Sequence, residues 1–453
     1  MLAGADKRDL NSHNHSQFET PTGLTPIIAR FYLYSIFKNL RFSDPFLILY
    51  FLDLRLSYTE IGLLMGFQHL ITVLLEFPSG ILADSWGRRR ATALCFVFYT
   101  LSFIGLGATD LRGVIPLFAW LSGCLTFFGL GEAMRTGSHK AIMLDYLDST
   151  SQAELATQLI GRTRAASKYS SGAAAICGGI LLTATRDYSW LFYLSAAAAI
   201  CGFFLMLTYP RELEGDAFRA RQSQADKGEP KVEGFRSMWR QSGFLAILVQ
   251  SILFESQTKI ALKYFTQPFL KVGLQLFGVA IVAPLGVSGI AASGALWVGL
   301  SEFVRDGLGG FGARLSATYE QWAGNRFFAL NQIFTCGFVA VTCLAFCNWN
   351  LQWGLFPGLL LLFGLTILQN MRRPIFVSTL NTKMPKTRRA SVLSLESFIR
   401  AVTVAALLPV IGIAADAFGL VAVWAICAVI LSFGFIFRLD ANSLATPTDE
   451  PHA

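Results

Sequence analysis

Ionisable side chains recur inside stretches of this sequence that are otherwise apolar enough to enter a lipid bilayer. A charge in hydrocarbon costs on the order of several kcal/mol unless it meets water or a partner, so each such position is a functional candidate. In the first stretch, Arg30, Tyr34, Lys38, Arg41, Asp44 and Pro45 fall on one arc of about 120° if the segment is a continuous helix turning about 100° per residue. Such a stripe on a helix at a bundle centre lines an aqueous cavity. Lys38 and Arg41, with only Asp44 close in sequence, read as cavity groups. The fourth stretch adds Glu132, Arg135 and His139, of which His139 reads as a hydrogen-bonded packing residue. The fifth adds Arg164 and Lys168 on a face continued by Ser171, Ala175 and Gly178. In the seventh, Glu255, Lys259 and Lys263 are spaced by four in the order that favours an ion pair. The eleventh carries Glu396 and Arg400, again four apart, and Glu76 stands four residues before Gly80. Glu132–Arg135 and Glu396–Arg400 could equally lock helices together without touching a solute.

The chemistry these groups offer is charge recognition. The basic set Lys38, Arg41, Arg135, Arg164, Lys168, Lys259, Lys263 and Arg400 exceeds the acidic set Asp44, Glu132, Glu255 and Glu396. A cavity of net positive potential concentrates anions, so a phosphate ester, carboxylate or oxyanion is favoured. No Cys/His ligand cluster and no CxxC pair is present, and no metal or cofactor is expected. The eight cysteines all lie in apolar runs; Cys343 and Cys347 share a helix face as small apolar filler.

The elements that must position these residues are membrane spans. Of 453 residues, 53% are hydrophobic and 15% charged, with mean hydropathy +0.50, well below the charge of a soluble domain. Apolar runs near 27–52, 59–82, 91–108, 114–138, 163–184, 188–209, 243–270, 286–308, 324–346, 353–377, 392–414 and 418–438 predict about twelve transmembrane helices. The stretch 270–285 is ambiguous, with Pro284 ending a short helix outside the membrane. Residues 1–25 and 439–453 read as disordered tails, with no cleavable signal peptide before the first span. With both termini cytoplasmic, the external loops hold about four basic residues (Arg55, Arg112, Arg186, Lys271). Roughly twenty face the cytoplasm, including Arg88 to Arg90, those from Arg211 to Arg240, and Lys383, Lys386, Arg388 and Arg389. The net charge of +8 belongs to this topology, and nucleic acid is not expected as a partner.

The charged segment 210–241 is a cytoplasmic linker between a bundle over 26–209 and another over 242–438. The two halves repeat. Phe42–Leu47 (FSDPFL) returns as Phe265–Leu270 (FTQPFL), a shift of 223, and Thr163–Ser167 (TRAAS) returns as Thr387–Ser391 (TRRAS), a shift of 224. Gly87 finds a weaker echo at Gly312. Parallel repeats with a site between them at the bilayer midplane are a transporter architecture. Pro45 and Pro268 should kink the two matching helices.

Between the second and third spans runs GILADSWGRRRA, with Gly80, Asp84, Gly87 and Arg88. This resembles the loop signature of the major facilitator superfamily, G-x-L-A-D-x-x-G-R-R/K. The second-half copy, GLGGFGARLS, lacks the acidic residue. EFPSG, RTGSHKAIMLDYL and SLESFIR are similar to a less-characterised bacterial branch. The resemblance implies an all-α polytopic fold of two pseudo-symmetric six-helix bundles, and a loop that gates movement between them. Gly80 would let the second span approach a neighbour, which the resemblance implies is the eleventh. Gly87 permits the tight turn, and Asp84 pairs with Arg88 or caps a helix across the interface.

The expected function is secondary active transport of a small solute across the cytoplasmic (inner) membrane by alternating access. It would be proton- or gradient-coupled, in a monomer surrounded by lipid. No GxxxxGK[ST] loop supports an ATP motor, and no HExxH or GxSxG motif supports a membrane enzyme. A multidrug/proton efflux antiporter remains the alternative within the class, and a non-transporting receptor the alternative outside it.

Overall fold

The computed structural model describes residues 26–135, 138–150, 152, 155–210, 244–282, 294–383 and 389–439. The expected N-terminal tail, the linker beyond Pro210, the helix ended by Pro284, Lys386, Arg388 and the C-terminal tail beyond Leu439 lie outside the described residues.

The described residues form helices and no strands. The first half comprises α1 (Pro26–Phe37), a 3₁₀ turn Asp44–Phe46, α2 (Leu47–Asp53), α3 (Tyr58–Trp86), α4 (Arg88–Gly107), α5 (Leu117–Arg135), α6 (Ser138–Ser149), α7 (Ala156–Thr185) and α8 (Ser189–Leu207). The second comprises α9 (Phe244–Lys259), a π-helical turn Ile260–Phe265, α10 (Thr266–Leu276), α11 (Gly294–Ala323), α12 (Arg326–Trp349), α13 (Leu351–Lys383), α14 (Arg389–Phe418) and α15 (Leu420–Ser432), followed by a 3₁₀ segment Phe433–Phe437. Helix ends follow local chemistry. Ser57 and Glu60 form a capping box that starts α3, and Asn325 accepts the Phe327 N–H at the start of α12. Gly87 ends α3 at φ +106°, a conformation that side chains with a Cβ rarely adopt.

Nine helical runs among the described residues are long and apolar enough to cross a membrane. The expected first, fifth and eighth spans miss that mark. The first is broken, and α7 and α11 are too polar. These are the segments that carry Arg41 and Asp44, Arg164 and Lys168, and Glu302, Arg305 and Asp306.

The halves meet along two helix pairs, α3 with α14 and α7 with α11. Both contacts lie toward one end of the bundle. A Cβ added at Gly62 would strike the Leu408 carbonyl, and one at Gly412 the Tyr58 carbonyl, so α3 and α14 touch backbone to backbone there. Asp416 of α14 then accepts the Tyr58 and Thr59 N–H groups at 2.8 Å each, and the Thr59 hydroxyl at 2.6 Å, capping α3 from the opposite half. Gly299 meets the Ala175 carbonyl, and a Cβ at Gly179 would stand 2.8 Å from the Ala295 carbonyl. Toward the other end the partners diverge. Among the described residues, a Cβ at Gly80, Gly161, Gly307 or Gly310 would meet no heavy atom within 4 Å. Among the described residues the expected close approach of the second span through Gly80 is therefore not made in this conformation. Gly62, Gly66 and Gly412 make it instead, at the opposite end of the helix.

Leucine at Gly62 or Gly412 should cost roughly 1–3 kcal/mol in reversible unfolding from mixed micelles, because the helices cannot part without breaking the Asp416 cap. Gly80→Leu should change that stability by no more than about 0.5 kcal/mol. Equal losses at all three positions would show that the end-specific contact is misplaced.

Candidate functional site

The first span cannot stay helical where Pro45 removes a backbone donor and crowds the preceding turn. α1 stops at Phe37, residues 38–43 are unwound, and the chain resumes helical geometry at Asp44. The single polar arc expected from Arg30 to Pro45 does not exist, since it required a continuous helix. The freed backbone groups find side-chain partners instead. The Ser43 N–H donates to the Ser195 hydroxyl at 3.2 Å, and the Asn39 side-chain amide ties the break to α7 by donating to the Ser167 carbonyl at 2.9 Å. From the other half, Gln267 accepts the Ile48 N–H at 3.1 Å and donates to the Asp44 carbonyl at 3.2 Å. Gln267 is the repeat partner of Asp44. The seventh span deviates at the matching place, with its π turn directly before the segment holding Pro268.

Between the halves lies a cavity of about 500 Å³, a size suited to a small-molecule ligand. Its basic lining side chains are Arg41, Arg164, Lys168, Lys259, Lys263, Arg305 and Arg373; its acidic ones are Asp44, Glu255, Glu302 and Asp306. Gln68, Gln267, Gln369, Asn370 and Tyr264 add hydrogen-bonding groups. Several charges are already matched. Lys168 of α7 reaches Asp306 of α11 at 2.7 Å, tying the halves across the cavity. Arg305 pairs with Glu302 and donates to the Leu262 carbonyl in the π turn. Arg373 donates to Glu396 at 3.0 Å. Arg164, Lys259 and Lys263 have no carboxylate within 4 Å among the described residues. Glu255 likewise has no basic group within 4 Å among the described residues, so the unpaired cavity charges are three cations against one carboxylate.

The remaining candidates separate by position. Arg41 lines the cavity but is held: Glu132 accepts from it at 2.7 Å, Asp44 lies at 3.7 Å, and its guanidinium packs over Tyr99 and Phe128 at 4.5 and 5.0 Å from the ring centroids. Glu132 also accepts from Arg135 at 2.5 Å and from the Tyr99 hydroxyl at 2.8 Å. Arg41 is therefore an ion-paired group and not the free anion ligand its sequence context suggested. Tyr34 is buried, stacked on His139 at 3.5 Å, and His139 bonds Tyr209 at 2.9 Å. Tyr34 and Lys38 do not line the cavity, because α1 turns that face toward its own half; the Lys38 ammonium stands 5.8 Å from the Tyr34 ring centroid. Glu76 is exposed on α3 and also lies outside the lining, as do Arg135 and Arg400. The expected Glu255–Lys259 pair does not form within 4 Å; Glu255 instead accepts from Gln369 at 3.2 Å. Glu396 is fully buried and joins Arg373 to Arg400, which lies 3.5 Å away, so it braces α13 against α14 behind the cavity wall.

At the loop signature, Arg88 pairs with Asp145 at 2.6 Å, binding the start of α4 to α6. Asp84 lies in the last turn of α3, and its side chain falls outside the described residues.

Sequence reasoning missed Glu302, Arg305, Asp306 and Arg373. Their signal was present: SEFVRDG puts three charges in five residues of an apolar run, and Arg372–Arg373 interrupts another. Gln267 carried no such mark beyond its place in the repeat.

The sequence profile of the Major Facilitator Superfamily matches residues 33–403. The fold is similar to that of a variant of the nucleoside transporter NupG, with TM-score 0.70, 13% identity and coverage of 91% of this chain and 98% of the other. It is also similar to a D-xylose–proton symporter, at TM-score 0.64, 12% identity and coverage of 93% and 98%. A bacterial homologue of the human lysosomal transporter Spinster, in an inward-facing and occupied conformation, gives TM-score 0.64 at 15% identity, covering 93% and 98%. At such identities the likeness is one of fold. No curated protein sequence matches the chain.

Glu132→Gln should destabilise the protein by about 3–5 kcal/mol, because it strands Arg41 and Arg135 in a largely buried site. Adding Arg41→Gln should recover part of that loss. Thermal melting of the purified variants checks this, and a Glu132→Gln protein as stable as wild type would refute the network.

Proposed function

Since the chain belongs to the Major Facilitator Superfamily, we propose that it is a secondary active transporter for a small anionic solute, bound in the cavity between the halves and released by alternating access. The observation that carries this reading is the set of cavity cations without carboxylate partners, Arg164, Lys259 and Lys263. Lys259 and Lys263 stand one turn apart at the start of the π distortion, where they can engage one anionic group from two sides. A multidrug cavity would favour apolar walls with isolated carboxylates. The positive-inside pattern supports cytoplasmic termini in an inner membrane, and on that reading the divergent end of the bundle faces inward. The likeness to a proton symporter favours proton drive. In the return step the α3–α14 and α7–α11 contacts must part, Lys168 must leave Asp306, and the Asp84 turn must close.

Proteoliposomes holding the purified protein should accumulate one class of phosphate ester, carboxylate or oxyanion under an imposed proton gradient. Lys259→Gln and Lys263→Gln should each weaken its binding roughly 10- to 150-fold, the value of a charge-assisted contact, with folding unchanged. Transport confined to neutral or cationic solutes, or unchanged affinity in both lysine variants, would overturn the anionic reading. Asp84→Asn should slow transport severely while leaving solute binding near normal; near-normal rates would remove the loop from the gating cycle.

A further inference from the structure

A second cavity, of about 430 Å³, shares no lining residue with the central one. It sits in the second half where α11 ends, α12 begins and the last 3₁₀ segment gives way to Arg438. Three features bear on what it holds. Its position is where apolar helices end, which is the level of the membrane interface. Its rim carries Trp322 and Phe328, 73% and 50% exposed, as aromatic side chains are placed at that level. Its one charged lining residue among those described is Arg438, which is exposed and has no carboxylate within 4 Å among the described residues.

The pocket is also pre-formed. Asn331 donates to the Leu439 carbonyl at 2.8 Å and accepts the Leu439 N–H at 3.2 Å, fixing the backbone next to Arg438. Gln250 donates to Asn331 at 3.0 Å from the floor. Phe435 stands edge-on to Phe334 and Phe338 at 5.4 and 5.1 Å, making a rigid apolar wall. A polar head with one negative charge suits Arg438 and the neighbouring amides, while an acyl chain suits the wall of Phe435 and Phe328.

We propose that this pocket binds an anionic phospholipid, with the phosphate on Arg438 and the upper acyl chain against Phe328 and Phe435. The site is independent of what the central cavity carries. A chain of hydrogen bonds links it to the central site: Gln250 accepts from Arg372 at 3.3 Å, Arg372 donates to Ser251 at 3.4 Å, and Ser251 donates to Glu396, the partner of cavity residue Arg373.

The test uses delipidated full-length protein in detergent, titrated with dioleoylphosphatidylglycerol or dioleoylphosphatidylcholine, which share acyl chains and differ in net charge. Thermal stability and native mass spectrometry are the readouts. Phosphatidylglycerol should bind in a 1:1 complex and raise the melting temperature, with phosphatidylcholine at least about tenfold weaker. Arg438→Gln should erase that preference, and Thr335→Trp, which fills the pocket from its exposed side, should abolish binding while the lipid-free protein melts as wild type. Lys259→Gln should leave lipid binding unchanged. Equal binding of the two lipids, or wild-type preference in both pocket variants, overturns the proposal. So does an Arg438-dependent shift produced by inorganic phosphate alone, which would mark an ion site. Binding that appears only after deletion of residues 440–453 would assign the pocket to the chain's own tail and likewise overturn it.

Discussion

Two helix pairs packed backbone to backbone at one end set the geometry of everything else in this molecule. Van der Waals contact falls off within fractions of an ångström, so Gly62, Gly412, Gly179 and Gly299 permit an approach that no side chain would allow. The approach brings Asp416 onto the open N–H groups of α3, and a carboxylate there satisfies donors that a helix start always leaves over. With one end pinned and the partners diverging beyond it, a wedge-shaped space must open between the halves. The cavity is the consequence of that divergence, lined by whichever side chains face inward. It also explains why the contacts are built from small residues and hydrogen bonds. A seam of large interdigitated side chains would have to be unpacked before the halves could exchange their open and closed ends, whereas backbone contacts and a carboxylate cap can separate and leave few cavities behind.

The charges obey a second constraint, that a buried ion must be matched or wetted. Glu132 collects Arg41, Arg135 and the Tyr99 hydroxyl into one network within the first half, while Glu396 collects Arg373 and Arg400 within the second. Each carboxylate thereby neutralises charge inside a half, where packing persists through any movement between halves. Lys168–Asp306 is different, since its partners sit on opposite halves and the pair faces the cavity. The cations left over, Arg164, Lys259 and Lys263, line the space between the halves. Positive potential in the cavity is therefore a residue of pairing elsewhere, and on the proposed reading an anionic solute would complete it.

Much of the architecture was legible because the bilayer imposes length and polarity on each span independently of the others. Hydropathy and the Gly80–Arg90 signature both act locally in sequence. The site was legible only in part. Lys259 and Lys263 reach the cavity as their spacing suggested, yet Glu255 turns to Gln369 on another helix. Arg41 was read beside Asp44, its neighbour in sequence, while its closest carboxylate is ninety-one positions away at Glu132. Lys38 was misplaced because a helical wheel has no means of knowing that the helix ends at Phe37, and Tyr34 because it does not say which way the polar face of α1 turns. Pairing across helices depends on rotation and depth, which periodicity leaves undetermined, and a single proline is enough to reset both.

The broken first span connects these constraints. A regular helix keeps its polar backbone groups to itself and can offer the cavity only side chains. The break before α2 exposes backbone donors and acceptors between residues 38 and 48, which is tolerable only where protein or water replaces the lost bonds. Gln267 supplies two of them from the other half, and it occupies the position in the second repeat that Asp44 occupies in the first. One copy of the repeat thus carries an acid and the other an amide, and the amide repairs the backbone beside the acid. An amide can donate and accept at once without adding charge, so it can serve both the Ile48 N–H and the Asp44 carbonyl where a second carboxylate would repel the first. The two otherwise matching segments, FSDPFL and FTQPFL, thus differ at the position through which they meet, and the amide of one complements the backbone of the other where the two breaks lie against each other.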